Sequence, residues 1–210
     1  MRTKKNMRIE VNSPHIKQKD LENFINLPVI VKVIGVFNEE SAKSLYSDCD
    51  KALKTGQKIL PIFIDSYGGY VDSLIGMLDY FQSFRDNGVE IVTIACGKAM
   101  SCGAMLFAMG DKRYVGKRSR VMFHRIYGGT HGNPDDMKTD TKESERLEKF
   151  IFEEVSKNIG KPKGWLFDQL KKNNFSDWYL TADECVENKV ATKVGVPQFT
   201  FGIETRFSYE

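Results

Sequence analysis

Stretches of β-branched, apolar sequence alternate with stretches of helical periodicity along most of the chain. "PVIVKVIGVF" (28–37) predicts a strand, and "NEESAKSLYSDCDKAL" (38–53) carries Ala42, Leu45, Cys49 and Leu53 at helical spacing. "KILPIFIDS" (58–66) predicts a second strand; Pro61 has no N–H for a ladder, which argues for an irregular or edge position. Beyond Gly68 and Gly69, Val71, Leu74, Ile75 and Leu78 recur at i, i+3, i+4 and i+7. Met77, Phe81 and Phe84 widen that face, so the helix should be buried on more than one side. "VEIVTIAC" (89–96) reads as the third strand, "SCGAMLFAMG" (101–110) as the next helix, and "KRYV" and "SRVMFH" (119–124) as short strands. This rhythm predicts an α/β domain whose strands are brought together by helical crossovers.

The segment from Asn133 to about Lys149 departs from that rhythm. It is compatible with a helix but almost wholly polar, whereas Leu147, Phe150, Ile151 and Val155 begin an ordinary buried stripe. A helix polar all round projects into solvent or bridges between units. An exposed first half of one long helix fits the pattern equally well. Gly160 and Pro162 then punctuate the chain before the short helix "WLFDQLKK", and Thr181 and Glu184 have the spacing of a capping box. The expected organisation is an N-terminal arm (1–25), one domain (26–200) and a C-terminal tail (201–210), with no internal repeat.

Composition narrows the class. Of 210 residues, 41% are hydrophobic and 28% charged, an ordinary globular balance with enough chain for a full core. Thirty-one basic against 28 acidic residues leave a net charge of +3, too even to argue for nucleic acid. No apolar run approaches the roughly 20 residues of a membrane span, and the N-terminus has no secretory-type apolar stretch, so cytoplasm is the expected compartment. Cys49, Cys96, Cys102 and Cys185 lack C-x-x-C spacing, which suggests neither a zinc site nor a disulfide framework. Cys96 is expected to be a small buried residue. Nothing calls for a metal or cofactor.

One serine stands out, in "ACGKAMSCGAMLFAMG" (95–110), where a strand passes into a helix. A serine hydroxyl is a weak nucleophile without a base, an orienting carboxylate and donors for the oxyanion. The chain has three histidines. His15 falls in the arm and His131 in the turn-rich "GGTHGNP", so both read as surface residues. His124 ends the apolar run "RVMF" and sits where reactive groups gather in α/β folds. "A-M-S-C-G" is not the G-x-S-x-G elbow of the α/β-hydrolases. The Cys102 N–H at a helix start could nonetheless face an oxyanion, and Gly68-Gly69 of "DSYGGY" could supply a second donor or simply turn the chain.

Taken together, "SYGGYVDSLIGMLDYF", "GKAMSCGAML", "SRVMFHRIYGG" and "SDWYLTADECVENKVATKVG" resemble, in order and spacing, four segments of the Clp peptidase proteolytic subunit family. The likeness runs over about residues 28–197. It implies a crotonase-like spiral of β-β-α units with a projecting handle helix, corresponding to 133–149, that interlocks two rings of seven subunits. It matches Ser101 to the nucleophile, His124 to the general base, Asp177 to the orienting carboxylate, and Gly69 and Cys102 to the oxyanion donors. Substrate would lie as an added strand against Gly68 and Tyr70 on one side and Arg125, Ile126 and Tyr127 on the other. Tyr67, Met100, Cys102, Trp178 and the run Lys189-Val190-Ala191 depart from the family pattern.

The implied activity is a serine endopeptidase acting on unfolded polypeptides, a homo-oligomer served by a possible AAA+ unfoldase. No phosphate loop is present, so ATP hydrolysis would belong to another chain. Three alternatives share the fold: a phage-type head-maturation peptidase without an ATPase, a crotonase-type acyl-CoA enzyme, and a catalytically silent ring subunit. The joint presence of Ser101, His124 and Asp177 argues against the last two. Lys98 is too close to Ser101 in sequence to be a convincing base, and a Ser-Lys dyad would leave His124 without a role.

Overall fold

The computed structural model describes residues 28–199; the expected arm, with His15, and the tail lie outside them. Strand β1 (Val31–Phe37) is followed by α1 (Glu39–Lys54), β2 (Ile59–Gly69), α2 (Val71–Asp86), β3 (Glu90–Met100) and α3 (Cys102–Ala108). Then come β4 (Lys112–Val115), β5 (Arg120–Phe123), α4 (Pro134–Asn158), α5 (Trp165–Lys172), β6 (Trp178–Leu180), α6 (Ala182–Glu187) and β7 (Lys193–Val194). The seven strands form one sheet, β1-β2-β3-β4-β7 in parallel order, with β5 beside β3 and β6 antiparallel to β5. The predicted α/β architecture is the observed one.

The topology turns on β3. Its first half, Val92–Ala95, pairs with β4, and its last residues, Lys98–Met100, pair with β5. The change of partner falls around Gly97, whose N–H donates to Ser119 Oγ at 2.9 Å. One strand thereby steers its C-terminal end away from β4 and in between the ends of β2 and β5. Helix α3, apolar all round, runs from that end into the core with all seven residues buried. Phe107 of this helix and Phe37, Phe81, Phe84 and Phe123 are fully buried in the same core, each contributing about 1.5–3 kcal/mol by leaving water.

Helix α4 is continuous for 25 residues, roughly 37 Å at 1.5 Å per residue. Asn133 caps it by accepting from the N–H groups of Asp135 and Asp136, with Pro134 in the first turn and two acidic side chains complementing the helix dipole. Residues 134–146 are exposed, while Ile151, Phe152 and Val155 pack on the core.

Four local expectations are corrected. Strand β2 is central, not an edge; Pro61 is tolerated because pairing with β1 begins only at Ile62. Phe150 is 51% exposed, since the buried stripe of α4 runs through Glu148, Ile151, Phe152 and Val155. Leu53 is exposed too, Ala52 taking the inward position on α1. Cys96 is only half-buried, at the point where β3 changes partner.

Candidate active site

Ser101 is the single residue between β3 and α3, with φ 54° and ψ −124°. A non-glycine residue in this region costs about 1–3 kcal/mol and persists only where its surroundings hold it. Three backbone hydrogen bonds hold this one. Its N–H donates to Met122 C=O at 2.9 Å, and its C=O accepts from Ala104 at 2.9 Å and Met105 at 3.1 Å. The turn does for this serine what glycines do in an elbow motif: it lifts the side chain out of both elements.

The double glycine is more than a bend. Gly68 and Gly69 are the last residues of β2 itself, and both are pressed by neighbours. A Cβ at Gly68 would lie 2.6 Å from Ser101 Cβ and 2.8 Å from Met100 O; one at Gly69 would run into the Phe37 backbone. Glycine is required because two other strands approach this closely. Ser66, fully buried, locks the segment: its hydroxyl donates to Gly35 C=O and accepts from Gly68 N–H. The Cys102 thiol donates to Gly69 C=O at 3.2 Å, which ties the β2 end to the start of α3.

His124 follows β5 immediately, two residues beyond the Met122 carbonyl that holds Ser101. Strands β5 and β6 pair antiparallel as Val121 with Leu180, Met122 with Tyr179 and Phe123 with Trp178. One step further, the same register would set His124 across from Asp177. Residues directly opposite in an antiparallel pair have Cβ atoms about 4.5–5.5 Å apart. The ladder, however, ends at Phe123 and Trp178. Asp177 is exposed, and neither its carboxylate nor the His124 imidazole makes a hydrogen bond among the described residues. The fold therefore brings Ser101 and His124 to one cleft and leaves Asp177 just before the neighbouring strand β6, outside the cleft lining, without the side-chain bonds of an assembled triad.

A cleft of about 60 Å³ opens beside Ser101. Val71, Met105, Ile151 and Phe152 supply its apolar wall, and Gly69, Cys102, His124, Arg125, Ile126 and Tyr127 also line it. Gly68 lies directly behind the serine. Tyr70 is outside the cleft lining, exposed at the N-cap of α2. Glu148 was not anticipated. It is buried in the same cleft, accepting from Ile126 N–H at 2.8 Å and from the Arg125 guanidinium. Within the polar run "ERLEK" nothing distinguishes it from a solvent-facing residue. Ser66 was likewise missed, although it stands two residues before the glycines.

The Ser-Lys alternative loses support. Lys98 Nζ is bonded to Asp65 at 2.7 Å and lies over the Tyr67 ring, and the Asp65 contact raises its pKa, so it stays an ammonium. Burial pushes the Cys102 thiol up as well, which keeps it protonated at neutral pH. Where the family pattern has arginine, Trp178 instead packs tilted against Phe123 and edge-on against Trp165, at centroid distances of 5.8 Å each.

A model of the Clp protease family matches residues 23–197. The chain belongs to that family, and the α/β fold with its parallel sheet is the family's. It is similar to the "ATP-dependent Clp protease proteolytic subunit" of Porphyromonas gingivalis, 31% identical over 139 residues, which are 65% of this chain and 60% of that protein. It is also similar to the "ATP-dependent Clp protease proteolytic subunit 3" of Parasynechococcus marenigrum, 30% identical over 163 residues and 76% of each chain.

Proposed function

We propose that this chain is a serine endopeptidase that cleaves unfolded polypeptides, with Ser101 as nucleophile, His124 as general base and Asp177 as the carboxylate orienting it. The observation that carries the reading is the strained turn at Ser101, wedged between the glycine end of β2 and the end of β5. His124 takes the Ser101 Oγ proton as Oγ attacks the scissile carbonyl carbon, and the N–H groups of Gly69 and Cys102 receive the oxyanion. The proton passes to the amine as the C–N bond breaks, leaving an acyl-serine. Water, activated by the same imidazole, then hydrolyses the ester. As the first residue of α3, Cys102 has no partner for its N–H within the helix.

The apolar wall of the cleft suits a hydrophobic side chain next to the scissile bond. Main-chain pairing with the segment 125–127 would accept many sequences. Ile126 gives its N–H to Glu148, so in an extended strand the backbone groups of Arg125 and Tyr127 face the other way, toward a substrate strand.

The working particle is a homo-oligomer of two stacked seven-membered rings enclosing the sites. Ile34 and Val36, apolar and exposed on the edge strand β1, suit contacts between copies. The relatives are named ATP-dependent, and an ATP-hydrolysing unfoldase on a separate chain would feed substrate.

A fluorophosphonate probe, followed by peptide mapping, should label Ser101 and no other residue. Ser101→Ala should abolish labelling and lower peptide turnover by about 10⁴-fold or more. Labelling that persists in Ser101→Ala would overturn the assignment.

A further inference from the structure

We infer that Arg125 is a positioning residue that binds into one unit the three segments around the candidate triad: the His124 loop, helix α4 and the turn before Asp177. The inference rests on the peptidase reading above and extends it to a residue outside the triad.

The side chain of Arg125 meets three elements at once. Its Nε lies 3.2 and 3.0 Å from the two Glu148 oxygens, and its Nη2 lies 2.7 Å from Oε2. The guanidinium carbon stands 5.7 Å from the ring centroid of Phe167 on α5 and 5.5 Å from that of Phe175. The two rings are themselves 5.5 Å apart. Phe175 is two residues before Asp177 and has φ 55°, a strained value for a bulky residue, with its N–H donated to Leu170 C=O at 2.7 Å.

The ladder between β5 and β6 explains why such a link is needed. Backbone pairing ends at Phe123 and Trp178, so nothing in the sheet holds His124 against Asp177. Arg125 is the next residue outward on one strand, and Phe175 lies just beyond Asp177 on the other. Their contact is a bridge outside the last rung. Glu148 secures the near end by accepting from Arg125 and from the backbone of Ile126, and its side chain is only 6% exposed. A planar fork that also stacks on rings suits this place; a lysine ammonium offers neither the bidentate bond nor the flat face.

The test uses the full-length assembled protein, comparing wild type with Arg125→Lys and with Glu148→Gln. Three quantities are read: kcat and KM for a short fluorogenic peptide, the rate of fluorophosphonate labelling at Ser101, and the acidic limb of the pH–rate profile. A displacement of about 1 Å at the base costs roughly 100-fold in rate, so kcat and labelling should fall about 10- to 100-fold with KM within about twofold. The acidic limb of the pH–rate profile should shift together with kcat, because the base and the turn before Asp177 are no longer held in one arrangement. Should Arg125→Lys fail to fold, Glu148→Gln reads the same ion pair.

Lower thermal stability with unchanged kcat and pH limb in the folded variants would overturn the positioning role and leave a structural one. A raised KM with unchanged kcat would overturn it in favour of substrate binding alone. Absence of Ser101 labelling in the wild-type protein would overturn the peptidase reading itself, whatever the variants do.

Discussion

Ser66 shows how much local structure can rest on one buried hydroxyl. It has no solvent exposure, and it joins the carbonyl of Gly35 on β1 to the N–H of Gly68 beside the nucleophile. Ser66→Ala would leave both backbone groups buried and unpaired, at about 1–3 kcal/mol. The denaturation midpoint should fall accordingly, and fluorophosphonate labelling of Ser101 should slow; an unchanged midpoint and rate would mean that water substitutes for the hydroxyl. At this scale Ser101, His124 and the glycines were legible, because their types and spacing are unusual. Ser66 and Glu148 were not, because a lone serine or glutamate reads the same whether it faces water or backbone.

Helix α6 and its exit form the clearest case of an element written in local sequence. Thr181 and Glu184 make the expected capping box, Thr181 Oγ1 receiving Glu184 N–H and the Glu184 carboxylate receiving Thr181 N–H. The helix ends at Asn188, and Lys189 adopts φ 63°, a left-handed position that glycine fills without strain. Buried Arg113 keeps it there, donating to the carbonyls of Gly110, Lys189 and Val190. Lys189→Gly keeps those carbonyls and relieves the side-chain clash, so it should stabilise the fold by about 0.5–1 kcal/mol, after the entropy glycine costs in the unfolded chain. Urea unfolding at constant m-value would measure it; a loss of stability would mean that the lysine side chain contributes more than its strain costs. Elsewhere tertiary context overrode local sequence. Pro61 sits in a central strand because its ladder with β1 starts one residue later, and Phe150 is turned outward by a helix phase that the core residues around it decide.

On the scale of the whole molecule, α4 joins a core-packed half to an exposed half, and its buried half is bonded to the His124 loop through Glu148. The exposed half carries i,i+3 ion pairs, Asp135 with Lys138 and Glu143 with Arg146, each worth little at the surface. Such a helix gains most of its stability where something else covers it. If that partner is the opposite ring, deleting residues 135–142 should yield particles of about half the mass with weak peptidase activity and a native circular dichroism spectrum. Sedimentation and peptide hydrolysis, measured on the same preparation, test both parts. Full size with full activity would make the exposed half ordinary surface.

Local physics was written in the sequence itself. The strand and helix periods, the caps at Asn38, Asn133 and Thr181, and the small residues around Ser101 depend on neighbours a few positions away. Tertiary structure alone decided what long-range pairing controls. β3 divides its edge between β4 and β5, and that division carries Ser101 to Met122 and so to His124. The register of β5 on β6 sets Phe123 across from Trp178, 55 positions later in the chain, and Arg125 finds Glu148, Phe167 and Phe175 on three separate segments. No local pattern encodes such meetings. They follow from which apolar faces must be buried together, a property of the folded chain as a whole.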